Sequence, residues 1–364
     1  MTTLRQTDVI LVVVTLFLVA IGLAMVYNTS AVLAQERYGD SLFFFKRQVV
    51  WAILGMLAMW AARCLPYRVQ QRLVLPLVMV TLCALIAVLI PAIGKQVGGA
   101  RRWFDLGPMA VQPSEFAKYI LLIYLASLLA KQHDTLQRSA SGYLPHVLML
   151  GLFCVLIFLQ PDLGTAVGLV LTSGLLLLVA GMPLRYVGYA SIVALPLLYW
   201  GLFHVTYRWE RLQVFLDPWV DAQGAGYQPV QSLYALGQGG VFGVGLGQSR
   251  QKLFFLPEAH TDFIFAIFGE EFGFIGAVIL IGLFVVLLWR ILRIAVDCPT
   301  PFGAFLGLGI FFGLTIQVLM NLGVVVVLLP TKGLPLPFIS LGGSNLFMSL
   351  VAVGTMLNIA QETS

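Results

Sequence analysis

The sequence predicts an all-α integral-membrane protein of ten transmembrane helices in one domain, residues 1–364, with a long loop at 205–261 between helices seven and eight. Three observations carry this. Hydrophobic residues make up 60% of the chain and charged residues only 10%, against about 25% charged in soluble domains. The mean hydropathy is +0.94. Apolar runs near the ~20 residues that cross a bilayer recur along the whole chain, and no polar block of domain size interrupts them.

Taken in order, breaker clusters and charges place the runs near 9–27, 45–62, 73–93, 113–130, 144–160, 163–181, 185–204, 262–290, 302–329 and 341–360. The first, Val9 to Tyr27, exceeds the roughly 7–15 residues of a signal-peptide core and reads as a retained span. The fifth and sixth are separated only by Gln160-Pro161-Asp162, which predicts a tight helical hairpin. Long connections remain near 94–112, near 205–261 and in the Pro/Gly-rich 330–340. Cys64, Cys83, Cys154 and Cys298 lack paired spacing, so neither a disulfide framework nor a zinc site is expected.

A raw count of basic residues does not orient the chain. The short connection Arg63–Arg72 holds three arginines and no acid, and the positive-inside rule weighs such loops most. It places the N-terminus inside. Parity is independent of that choice. With ten spans, helices four, six, eight and ten all begin on one face, at Gln112-Pro-Ser-Glu115, Gln160-Pro-Asp162, His260-Thr-Asp262 and Leu341-Gly-Gly-Ser-Asn345. Lys95 to Trp103, Lys332 and the 205–261 loop fall on that face too.

Each polar cluster admits more than one reading. Glu115 and Lys118 are three residues apart and share a helix face. Lys118 lies more than a turn inside, where a lipid-facing charge is costly, so Glu115 or Asp162 is expected to pair with it. The pair either locks helices four and six together or also shapes a substrate cavity. Asp262 could cap its helix, since a carboxylate suits the first turn. Capping leaves the adjacent His260 and the basic, glycine-rich loops unexplained. His260 is either a general base or a loop histidine; residues two apart on a helix do not face each other. Glu270 and Glu271, roughly 12 Å further along the axis, must be paired or neutral if buried, and read as internal polar packing. Arg101 and Arg102 beside Trp103 suit interfacial anchoring, and their forked guanidinium groups also suit phosphate.

The segment 224–250 carries Gly224, Gly226, Gly237, Gly239, Gly240, Gly243, Gly245 and Gly247 without any P-loop or dinucleotide fingerprint. It reads as an external segment with short amphipathic helices, Gln228–Leu236 among them, and mobile hinges. Connections of this length are usually functional or disordered, and its aromatic content favours function.

These stretches resemble the SEDS family (shape, elongation, division and sporulation). The resemblance runs almost end to end, through Gly99-Ala-Arg-Arg-Trp103, Gln112-Pro-Ser-Glu-Phe-Ala-Lys118, Gln160-Pro-Asp-Leu-Gly-Thr165, Gly239 to Gly247, Leu256-Pro-Glu-Ala-His-Thr-Asp-Phe-Ile-Phe265 and Leu334-Pro-Leu-Pro-Phe-Ile-Ser340. Gly245 to Lys252 and Leu329-Pro-Thr-Lys-Gly333 resemble the division branch more than the elongation branch. Leu341, where a tyrosine is common, and Asn345, where a serine is common, depart from the pattern.

The resemblance implies a ten-span peptidoglycan glycosyltransferase that polymerises lipid II at the outer face of the cytoplasmic (inner) membrane, at the division septum. Both termini would be cytoplasmic and the 205–261 loop extracytoplasmic. Implied partners are a class B penicillin-binding protein transpeptidase and other division-complex membrane proteins; no nucleic acid is expected. Asp262 matches the catalytic aspartate. Arg101, Arg102, Glu115, Lys118, Asp162, His260, Lys332 and Ser340 are the candidate substrate-binding positions. No metal ligand and no obligatory cofactor are implied, with a divalent cation left open. The rival readings are a lipid II flippase, which needs ionisable groups near the midplane, an elongation-type polymerase, and a scaffold that would not require Asp262.

Overall fold

The computed structural model describes residues 6–97, 99–107, 109–136, 140–186, 188, 192, 214–330 and 333–362. Helices dominate: α1 (Gln6–Tyr38), α2 (Phe43–Cys64), α3 (Tyr67–Arg72), α4 (Val74–Ala87), α5 (Pro113–Leu136), α6 (Leu144–Phe158), α7 (Leu163–Val179), α8 (Tyr227–Gly239), α9 (Ile264–Val296), α10 (Pro301–Val325) and α11 (Gly343–Ala360). Among them α1, α2, α5, α9, α10 and α11 are long and apolar enough to cross a membrane, and α4, α6 and α7 are shorter apolar helices. They occupy the expected runs one to six and eight to ten. The seventh run, near 185–204, lies mostly outside the described residues, as does Lys332.

Between α4 and α5 the all-α expectation needs amending. β1 (Gly94–Val97), β2 (Ala100–Leu106) and β3 (Met109–Val111) form an antiparallel sheet in the order β1-β2-β3. Gly99, at φ 80, turns β1 into β2, a conformation glycine adopts without a Cβ clash. Strands this short, interrupted by a bulge opposite Lys95 and Gln96, leave no clean period of two to read.

Local chemistry fixes the helix starts. Asp162 caps α7 by accepting from Thr165 N at 3.1 Å. Thr300 caps α10 through Gly303 N at 3.3 Å, with Pro301 in the first turn. At the centre, α11 buries Leu350, Val353 and Met356 completely. It meets α2 backbone to backbone, since a Cβ on Gly354 would stand 2.3 Å from Met59 O.

The longest connection and α9 are built together. At 33 residues, α9 would reach about 50 Å, more than the ~30 Å hydrocarbon core. It breaks at Gly273 (φ 67, ψ −167), and the chain after α8 is spliced into the break. Phe274 N donates to Gly240 O at 2.9 Å instead of to Glu270 O, and Ile275 N to Val241 O at 3.2 Å instead of to Glu271 O. The vacated oxygens of Glu270 and Glu271 accept from Val244 N and Gly245 N, both at 3.0 Å. A segment inserted into the i→i−4 ladder kinks a helix sharply. A Cβ on Gly239 or Gly243 would lie 2.1 Å from Gly269 O or Glu271 O respectively. The expectation of mobile hinges is therefore corrected here: these glycines dock backbone on backbone. The expected amphipathic helix is present as α8.

Residues 264–271 of α9 are buried throughout. Past the break, Phe274, Ile279, Val285 and Trp289 expose apolar surface. The part from 274 to 296 is about 34 Å long, enough to span a bilayer unaided. After α10 the chain turns back into the protein, burying Leu334, Leu336, Phe338, Ile339 and Ser340. This segment presses on α1 so closely that a Cβ on Gly22 would sit 2.2 Å from Phe338 O.

Candidate functional site

The four helix entrances that parity placed on one face are hydrogen-bonded to one another. Gln112 Nε2 donates to Asp162 Oδ2 at 3.3 Å, and Gln112 N to Ser344 Oγ at 3.0 Å. Asn345 Nδ2 donates to Glu115 Oε2 at 2.8 Å. Leu341 N donates to His260 O at 2.9 Å, and Ser340 Oγ to Thr261 O at 2.6 Å. Polar side chains from α5, α7, α11 and the approach to α9 thus form one continuous end.

Asp262 is half-buried and stands before the helix rather than in its first turn, because α9 begins at Ile264 with Phe263 as N-cap and no side-chain cap there. The Asp262 main-chain oxygen accepts from Asn321 Nδ2 at 2.9 Å. Gly333 passes close by, and a Cβ there would lie 3.1 Å from Asp262 Oδ2. Asp262 thus stands at the junction of three segments.

Lys118 pairs with Glu115 at 2.8 Å, their side chains 23% and 4% exposed. Of the two partners the sequence allowed, Asp162 is otherwise engaged: besides capping α7 it accepts from Thr165 Oγ1 at 2.9 Å. Lys118 Nζ also donates to Gln317 Oε1 at 3.1 Å. This network heads a partly open cavity of about 700 Å³, including its open side, between α5, α7, α10 and α11. Glu115, Lys118, Gln317 and Asn345 line its polar end, and Leu169 and Ile310 are among its apolar walls.

The two arginines part company. They stand at a β-bulge: Lys95 pairs with Trp103 and Gln96 with Arg101, so Arg102 is left without a partner in the ladder and is re-aimed. Arg102 Nε donates to Gln160 O at 2.9 Å and its Nη2 to Pro161 O, so it fastens the sheet to the α6–α7 turn. The Arg101 side chain has no hydrogen bond or ion pair among the described residues, and the residue is only partly buried. Ser340 Oγ, besides donating to Thr261, accepts from Leu336 N at 2.8 Å; it staples two backbone segments. His260 lays its ring against Phe44, centroids 5.2 Å apart. Burial pushes its pKa below the ordinary value, reinforced by Arg37 and opposed by Glu258. Glu270 and Glu271 are buried and hydrogen-bonded to the spliced loop, the internal polar packing expected of them.

The uncharged amides escaped the sequence reading. Gln317 Nε2 donates to Pro335 O and Asn321 Nδ2 to Leu334 O, both at 2.8 Å. Gln48 Nε2 donates to Ser340 O at 3.2 Å while its Oε1 accepts from Gly342 N at 3.3 Å. Gln317 and Asn321 are four apart on one helix face, an available signal inside an apolar run. Among the described residues no group of three or more His, Cys, Asp or Glu side chains is placed to hold a metal ion.

Known proteins resemble this chain in sequence and fold. The family described as cell cycle protein, FtsW/RodA/SpoVE, matches residues 8–364. A probable peptidoglycan glycosyltransferase FtsW of Trichlorobacter lovleyi is 42% identical over 98% of this chain and 94% of its own length. Stage V sporulation protein E of Bacillus subtilis is 41% identical over 99% of both. Among solved structures, one describing the coordination of polymerization and crosslinking by a peptidoglycan synthase complex superposes with a TM-score of 0.78, at 31% identity over 97% of both chains. The rod shape determining protein RodA of Thermus thermophilus superposes with a TM-score of 0.71, at 30% identity over 96% of this chain and 95% of that one.

Proposed function

The chain belongs to the FtsW/RodA/SpoVE family of cell cycle proteins, and from that premise we propose how its polar end performs glycosyl transfer. The protein is a peptidoglycan glycosyltransferase, and its several apolar helices make it a multi-pass membrane protein. In our reading it has ten spans in one domain and cytoplasmic termini, and its polar end faces outward, at the division septum. Its substrate is lipid II, and its partner a class B penicillin-binding protein.

The observation that carries this reading is that Asp262 follows Thr261 and His260, which are tied to the other helix entrances, and that Asn321 holds both the Asp262 main-chain oxygen and that of Leu334, which lines a cavity polar at one end and apolar along its walls. A sugar hydroxyl attacks the anomeric carbon of the donor. The new C–O bond forms as the bond to undecaprenyl pyrophosphate breaks, and the pyrophosphate leaves with the electron pair. Asp262 takes the hydroxyl proton, which requires a carboxylate within hydrogen-bond reach. Arg101 and the helix N-termini of this end offer charge stabilisation to the leaving group, and the apolar walls accept the first part of the lipid tail.

A flippase would carry its ionisable groups near the bilayer midplane. Glu270 and Glu271 are instead taken up by hydrogen bonds from the loop spliced into α9, and Lys118 is paired within the polar network. The deciding experiment is glycan-chain assembly from purified lipid II, with and without the transpeptidase, comparing wild type with Asp262→Asn. Long chains from the wild type and none from the variant support the reading; equal chains refute the role of Asp262.

A further inference from the structure

Asn28 on α1, Lys252 in the loop after α8 and Glu271 on α9 close a ring in which each touches the other two. Lys252 Nζ donates to Asn28 Oδ1 at 2.7 Å and to Glu271 Oε1 at 2.9 Å, and Asn28 Nδ2 donates to Glu271 Oε2 at 2.5 Å. The side chains of Lys252 and Glu271 are 8% and 0% exposed. Beside the ring, Glu270 accepts from Ser249 Oγ and, at 3.0 Å, from Arg250 N. A buried ion pair is a poor source of stability, because desolvation offsets its attraction. What such a ring does supply is one fixed register for the loop.

The register bears directly on Asp262. From Lys252 the chain runs through irregular turns to that residue. The far end of this arm is held by the bonds of Ser340 to Thr261 and Leu341 to His260. The near end is held by the ring. We propose that Asn28, Lys252 and Glu271 are positioning residues for glycosyl transfer: the ring sets the height of the 252–262 arm, and so of the Asp262 carboxylate beside Gly333 and Asn321. By this route α1 takes part in the reaction without touching substrate. The inference rests on the reading of Asp262 as the base.

The test exchanges charge across the ring. In Asn28→Asp with Glu271→Gln, Lys252 keeps one carboxylate and one amide partner, so charge and bond number are conserved. Full-length variants are assayed on lipid II, and hydrogen exchange is followed over 249–262. Because an ångström of misplacement costs up to ~100-fold, each single variant and Lys252→Met should lower kcat by at least about ten-fold with KM within about two-fold, and the double should recover to within about three-fold of wild type. Exchange over 249–262 should rise in the single variants and return in the double. Unchanged exchange in the single variants would overturn the ring as the fastening of the arm. Raised exchange with unchanged kcat would overturn its positioning role. If a charged single variant fails to fold, Asn28→Ala, which alters no charge, is read against the same two outcomes. Failure of the base reading shows separately, as activity in Asp262→Asn.

Discussion

Ser340 Oγ donates to Thr261 O at 2.6 Å, so the segment that turns back after α10 and the loop bearing Asp262 are one mechanical piece. Ser340→Ala removes that bond and leaves the Thr261 oxygen and Leu336 N–H without it. We expect a kcat loss of about 5- to 50-fold with little change in KM, since misplaced rather than missing chemistry is the cause. Steady-state rates over a lipid II series check it; a KM effect alone would make Ser340 a substrate ligand instead.

Asp262→Asn should abolish polymerisation while the protein remains folded and membrane-inserted, because an amide cannot take up the hydroxyl proton. Chain-length analysis on gels gives the activity, and thermal unfolding in detergent the fold. Near-normal chains would remove Asp262 from the mechanism.

Lys118→Met strands Glu115 beside Asn345 in a buried site. Removing one partner of a fully buried pair costs roughly 3–5 kcal/mol, and the 23% exposure of Lys118 puts this loss somewhat lower. The variant should unfold at lower temperature and polymerise poorly. Lys118→Met with Glu115→Gln should regain stability, since Gln can still accept from Asn345. A single variant as stable and active as wild type would refute the buried-pair reading.

The two arginines should separate on substitution. Arg102→Gln loses both bonds to the α6–α7 turn and should lower the unfolding temperature; Arg102→Lys should only partly restore it, since an ammonium lacks the fork. Arg101→Gln should leave unfolding unchanged and raise KM for lipid II, with Arg101→Lys in between. If both positions behave alike, the division of roles drawn from Arg102's bonds to the α6–α7 turn fails.

His260 gives the pH dependence a sign. Burial lowers its folded pKa, while the unfolded chain titrates near the ordinary value of about 6.5. Between those values the unfolded state binds more protons, so stability falls as pH falls through about 6.5. Above that pH the contribution is fully present. Unfolding temperatures from pH 8 to 5 should show a decline that His260→Gln reduces; an identical acid limb in the variant would assign it to another group.

Much of this arrangement could be read from the chain. Runs of apolar residues located the helices, because burial in lipid imposes a length and little else. Counting their ends brought Glu115, Asp162, Asp262 and Asn345 to one face. The sheet at 94–111, the splice of 240–245 into α9 and the return of 334–340 against Gly22 were not legible. Each depends on backbone pairing between distant segments, which leaves no local period. Gln317 and Asn321 share a helix face within an apolar run, but without a charge they stand out little from their neighbours.

The break at Gly273 also separates two demands on α9. A bilayer a few ångström thicker or thinner is met by tilting whatever apolar length faces the lipid. In α9 that length starts at Phe274, below the buried segment 264–271 that adjoins Asp262. Hydrophobic mismatch should therefore fall on one half of the helix while the other half keeps its place. The rate of glycan synthesis should then vary little with the acyl-chain length of the surrounding lipids.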